Sequence, residues 1–168
     1  MSDLRSAPIP PPDGRDHRRG RPEAPILIVY ADFECPFCAA LDLRLRRLAV
    51  QVIFRHFPVR SAHPRAWPAA CAAEAAALQG RFWEMHDSLY ADQGRLEDPH
   101  LWARAASLGI DVDRFDSDRR GQAAEDRVAS DFRGGVRGGV VTTPSVHIWR
   151  DGAPEPVATA DLERSLAG

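Results

Sequence analysis

In the stretch ADFECPFC, residues 31–38, Cys35 and Cys38 are separated only by Pro36 and Phe37. Two thiols at this spacing suit three chemistries: a reversible dithiol–disulfide couple, half of a metal site, or two buried thiols that never react. His56 and His63 follow in the chain and could complete a zinc site. A two-Cys, two-His finger, however, expects about 12–15 residues between the pairs and three to five between the histidines. Here the gaps are 17 and six, and there is no second C-x-x-C. The spacing weighs against zinc, and no metal or organic cofactor is expected. The third cysteine, Cys71, lies in PAACAAEAAALQG and reads as a small apolar residue on a helix face.

The elements around the pair favour redox chemistry. Ile26 to Tyr30 is a short apolar run with β-branched residues, as expected of a strand buried on both faces. After Pro36, Leu41, Leu45 and Leu48 recur at helical spacing, with Arg44, Arg46 and Arg47 on the remaining surface. Pro36 suits the first position of that helix, where its missing N–H costs nothing. Cys35 then stands at the helix N-terminus, where unpaired backbone N–H groups and the positive end of the dipole favour a thiolate. Cys38, one turn in, is close enough to resolve a mixed disulfide.

VQVIFRHFPV, residues 50–59, reads as a second strand, so a strand–helix–strand unit with parallel pairing is expected. The next segment is Ala-rich, with helical blocks expected at 64–79, 81–91, 98–108, 111–119 and 121–133, broken at Gly80, Asp98-Pro99 and Gly109. Phe82, Trp83, Met85, Leu89 and Tyr90 have helical spacing and read as core. RGGVRGG, residues 133–139, reads as a glycine hinge. PSVHIWR at 144–150, a turn at Asp151-Gly152 and PEPVAT form a hairpin, and a short helix starts at Asp161. The expected fold is therefore α/β: a βαβ unit, then a hairpin and helix, interrupted by a helical insertion at about 61–135.

The chain has 168 residues, enough for one domain with a real core. Net charge is −2, with no overall basic field to suggest nucleic acid as a partner. No apolar run approaches the roughly 18 residues needed to span a bilayer, so no direct membrane insertion is expected. Residues 1–24 carry arginines and prolines without an apolar signal core, and read as a disordered polar tail ahead of a domain at 25–168. A cytoplasmic location is expected on that basis.

Four stretches carry a resemblance: DFECPFC, FRHFP at 54–58, GRFWEMHDSLY at 80–90 and TTPSV at 142–146. Together they make the chain similar to the thioredoxin superfamily, and within it to the DsbA-like branch, whose thioredoxin core carries a helical insertion. The resemblance covers about residues 25–167 and extends to DsbA-like domains found free-standing or fused to membrane transporters, including sodium/proton antiporters. It implies a thiol-disulfide oxidoreductase acting on protein or peptide thiols, with an electron donor or acceptor the sequence does not identify and a possible transporter partner. It also implies a cis-proline at Pro144, preceded by Thr143, with Pro36, Phe37, Thr143 and Pro144 meeting the substrate. Phe37 stands where DsbA has a histidine, and Val29 stands where thioredoxin has a buried aspartate. With Asp32 and Glu34 nearby, the expected direction is reductase or relay. The alternatives are a redox-sensing or binding module docked on a transporter, and a glutathione-dependent isomerase or transferase of the related fold.

Overall fold

The computed structural model describes residues 6–167. Five strands, β1 (His17–Arg19), β2 (Ile26–Ala31), β3 (Gln51–His56), β4 (Ser145–Arg150) and β5 (Ala153–Val157), form one sheet in the order β1-β3-β2-β4-β5. β2 and β3 are parallel, joined by helix α1 (Pro36–Leu45); the other pairings are antiparallel. The apolar run of β2 has a packing reason: Leu27, Val29 and Ala31 enter one core cluster, while Ile28 and Tyr30 enter a second. A strand covered on both faces needs apolar side chains at consecutive positions.

Helices α2 (Ala66–Ala77), α3 (Phe82–Ala91), α4 (Asp98–Ser107), α5 (Val112–Arg119) and α6 (Gln122–Arg137) form the insertion, and α7 (Leu162–Ala167) closes the chain. In α2, Ala69, Ala70, Cys71, Ala72, Ala73, Ala75 and Ala76 are all buried. A helix apolar on every side must be surrounded, and its short side chains let α3, α5 and α6 pack around it. Cys71 is one of these small core residues.

The structure corrects two expectations. Residues 6–24 are not a disordered tail. β1 pairs with β3, Ile9 is buried, and Ser6 and Ala7 donate backbone N–H groups to the carbonyl of Arg137. Buried Arg55 grips this segment, donating to the carbonyls of Pro10 and Pro11 at 2.7 and 2.9 Å and to both Asp16 carboxylate oxygens at 3.0 and 3.1 Å. Its composition is that of a solvated tail, but partners far along the chain order it. Residues 1–5 of the expected tail lie outside the described residues. RGGVRGG, in turn, is not a hinge: α6 runs through Gly134 and Gly135 to Arg137. A Cβ at Gly135 would lie 2.9 Å from both the Tyr30 and Phe57 rings, so glycine here permits close helix–sheet approach.

Candidate active site around two thiols

The sheet's connectivity brings the distant pieces together. β2 ends at Ala31, and its antiparallel neighbour β4 begins at Ser145, opposite Tyr30. The turn leaving β2 and the loop entering β4 therefore emerge side by side. Cys35 is the N-cap residue of α1, in extended conformation, with Pro36 opening the helix. The Thr143-Pro144 peptide bond is cis. Across this junction the Cys35 thiol donates to the Thr143 carbonyl at 3.7 Å. Cys35, Cys38, Thr143 and Pro144, far apart in sequence, share one site.

Both thiols are unbonded and nearly covered, Cys35 3% and Cys38 2% exposed, whereas Phe37 between them is 73% exposed. The Asp32 backbone N–H donates to Cys38 Sγ at 3.5 Å. Burial nevertheless drives the Cys38 thiol well above its ordinary range, and that backbone bond only partly opposes it. Two unbonded thiols one helical turn apart can carry dithiol–disulfide exchange.

Sequence reading missed much of the supporting shell. Gln93, in the link between α3 and α4, donates to the carbonyls of Phe33 and Cys35 at 2.8 and 2.9 Å and clamps the turn before α1. The expected negative charge of Asp32 is buried and partnered. One carboxylate oxygen accepts from Glu34 N at 2.7 Å; the other accepts from Val59 N and contacts His63 Nδ1, each at 2.8 Å. Glu34 turns to the start of α2, accepting from Arg65 N at 2.7 Å. No local pattern marks these contacts, since each joins positions distant in sequence or fixed by a turn.

Two other clusters could be taken for metal sites. His17 and His56 both bring Nε2 to one oxygen of Glu74, at 2.7 and 2.6 Å, which is hydrogen-bond spacing. The buried Nδ1 of His56 has no partner, whereas a metal-bound imidazole normally has one. This triad is a hydrogen-bond network stapling β1, β3 and α2. Burial opposes ionisation of Glu74, but its bonds to the two histidines outweigh that and hold it well below the usual carboxylate range. The second cluster, Asp42, His86 and Asp87, lies behind Cys38. Beside the site, a groove of about 660 Å³ runs between Phe57, Trp67, Phe132, Val140 and Val141, with Arg60 and Arg133 at its rim. Among the described residues, no helix is long and apolar enough to cross a membrane.

The fold is that of solved thiol-disulfide proteins. A thioredoxin-like oxidoreductase from Silicibacter pomeroyi superposes with a TM-score of 0.78 at 22% identity, covering 92% of each chain. The thiol-disulfide exchange protein alpha-DsbA2 from Wolbachia pipientis gives 0.76 at 19% identity, covering 92% of this chain and 87% of its own. BdbD from Bacillus subtilis gives 0.77 at 17%, covering 99% and 100%. In sequence, the chain is 39% identical over 161 residues to a protein named Na(+)/H(+) antiporter NhaA 1 from Mycolicibacterium gilvum, covering 90% of this chain and 26% of that one. It is 43% identical over 149 residues to Na(+)/H(+) antiporter NhaA 3 from Salinispora tropica, covering 83% and 22%. The chain thus spans about a quarter of the length of these curated relatives. With its cis-proline loop beside a C-x-x-C helix and a helical insertion in the core, the chain shares the fold of these DsbA-like structures; a family model described as thioredoxin matches residues 13–166, and the chain belongs to the thioredoxin family.

Proposed function

We propose that the protein exchanges disulfides with protein or peptide thiols through Cys35 and Cys38. The observation that carries this reading is the Cys35 thiol at 3.7 Å from the Thr143 carbonyl, next to the exposed ring of Phe37. Cys35 attacks a substrate disulfide, and Cys38 displaces the substrate from the resulting mixed disulfide. Pro36, Phe37, Thr143 and Pro144 form the rim that meets the substrate, and the apolar groove from Val141 onward offers a place for its side chains. A reductive or relay direction fits the absence of a cationic side chain between the two cysteines, and it would suit a cytoplasmic location, where thiols stay reduced.

Insulin reduction with a dithiol donor tests the activity. Cys38→Ser is expected to accumulate a mixed disulfide with the substrate, and Cys35→Ser to form none. Equal trapping by both variants would refute the assignment of attacker and resolver. The antiporters among the relatives favour a second reading, in which the domain docks on or belongs to a transporter and senses its redox state. A redox-active pair that reports a potential in glutathione buffer but turns over no peptide disulfide would select that reading.

A further inference from the structure

Cys38 is buried, so its proton needs a path. On its inner side lies a cavity of about 10 Å³ lined by Cys38, Asp42, His86 and Tyr90, with Val29 and Phe54 among the apolar walls. That is about the room one water needs, provided two to four polar partners surround it. The polar partners are there. The Tyr90 hydroxyl is buried with no hydrogen-bond partner. His86 Nε2 and Asp42 Oδ1 are 3.9 Å apart, too far for a direct bond and suited to a bridging water.

His86 is oriented as a proton acceptor. Its Nδ1 lies 2.8 Å from Asp87 Oδ1, a contact that assigns the ring proton to Nδ1 and leaves the Nε2 lone pair facing the cavity. Asp87 is itself held by Arg19 and Arg46, each at 2.7 Å. Partial burial works against ionisation of Asp87, but its bonds to His86 and Arg19 bring it to about 2, so it stays charged and fixes the imidazole. Burial keeps His86 below its ordinary value, hence neutral and able to accept at pH 7. The charged groups around it are Asp42 from α1, Arg46 just past α1, Arg19 from β1 and its neighbour Asp87; Tyr90 faces Cys35, Cys38, Asp32 and Asp42.

We propose that this cavity is a proton-relay site, in which one water held by Tyr90, Asp42 and His86 passes the Cys38 thiol proton to His86 Nε2 during resolution. The proposal rests on the exchange reaction above. In the mixed disulfide, Cys38 gives its proton to the water, which gives one of its own to His86. The Cys38 sulfur pair forms a bond to Cys35, the bond from Cys35 to the substrate sulfur breaks, and the substrate leaves as a thiolate that takes a proton from solvent. The dithiol is oxidised and the substrate disulfide is reduced. The imidazolium, flanked by Asp42 and Asp87, then releases its proton to solvent. Tyr90 and Asp87 are positioning residues in this scheme.

The test is single-turnover reaction of the reduced protein with a peptide disulfide, quenched in acid and read by mass spectrometry, so that formation and resolution of the mixed disulfide are separate phases. Tyr90→Phe and His86→Gln should leave formation within about twofold. They should slow resolution at pH 6.5 by about 10-fold or more, at the low end of what a positioned acid–base group supplies. The deficit should shrink progressively as pH rises, because hydroxide can then take the Cys38 proton directly. A slowing by one factor at every pH would reveal packing damage alone and overturn the relay. So would a wild-type resolution rate at pH 6.5 in either variant. Tyr90→Phe removes a single oxygen and keeps the test open should His86→Gln fold poorly. Failure of the wild-type protein to form any mixed disulfide would instead sink the exchange reading itself.

Discussion

Two polar clusters near the same end of the sheet show opposite designs. At the end of β3, Arg55 spends its donors on Pro10, Pro11, Asp16 and Tyr30, and the His17–Glu74–His56 triad shares one carboxylate oxygen. Beyond the end of β2, the two thiols make long sulfur contacts of 3.5 and 3.7 Å, and Tyr90 beside them keeps an unpaired hydroxyl. Partnered groups hold the N-terminal segment in place, whereas loosely partnered ones can exchange protons and electrons. The contacts that anchor the N-terminal segment and the thiols proposed to react thus lie at separate strand ends of one sheet.

Removing the anchor is the strongest way to break that comparison. Arg55→Ala leaves Asp16 as a buried charge without its main partner, and loss of one member of such a pair costs about 3–5 kcal/mol. Urea unfolding should show that loss, with the thiol exchange rate of the folded fraction unchanged. A large drop in exchange at equal folded fraction would mean that the two clusters are coupled.

The triad sharpens the same point through pH. Because the folded value of Glu74 lies below its ordinary 4.5, its stabilisation is complete above that pH and is lost as pH falls below it. Glu74→Gln should lower stability at pH 7 and flatten its decline below about pH 4.5, read by denaturation midpoints across that range. An unchanged acid limb would show that other carboxylates carry it.

Gly135→Ala forces a methyl group toward Tyr30 and Phe57, and overpacking of this kind costs about 1–3 kcal/mol. Thermal melting should register it, while exchange at the dithiol should not. The smallest effect belongs to Cys71→Ala, expected within about 1 kcal/mol of wild type because a small core residue is replaced by one nearly its size. Burial first, and the neighbouring Glu125 next, push the Cys71 thiol up to about 12. It should therefore resist iodoacetamide in the native protein at pH 7, as mass mapping would show.

The sequence by itself determined the local elements and the chemistry they offer. The doubly apolar run Ile26–Tyr30, Pro36 opening a helix, and the Ala-rich blocks are short-range patterns, and they yielded the βαβ unit, the inserted helices and the C-x-x-C at a helix start. The TTPSV resemblance points to a cis-proline at Pro144, and the Thr143-Pro144 bond is cis. Only the tertiary structure decided that residues 6–24 are ordered, because Arg55 and Glu74, which hold them, lie some 40 to 60 positions away. It alone decided that Gly134 and Gly135 continue a helix, since glycine at 135 is required by Tyr30 and Phe57 rather than by a bend. And it alone placed His86 and Tyr90 behind Cys38: helical spacing assigned that stretch to the core, but which buried neighbour each side chain meets depends on how the insertion folds back over the sheet.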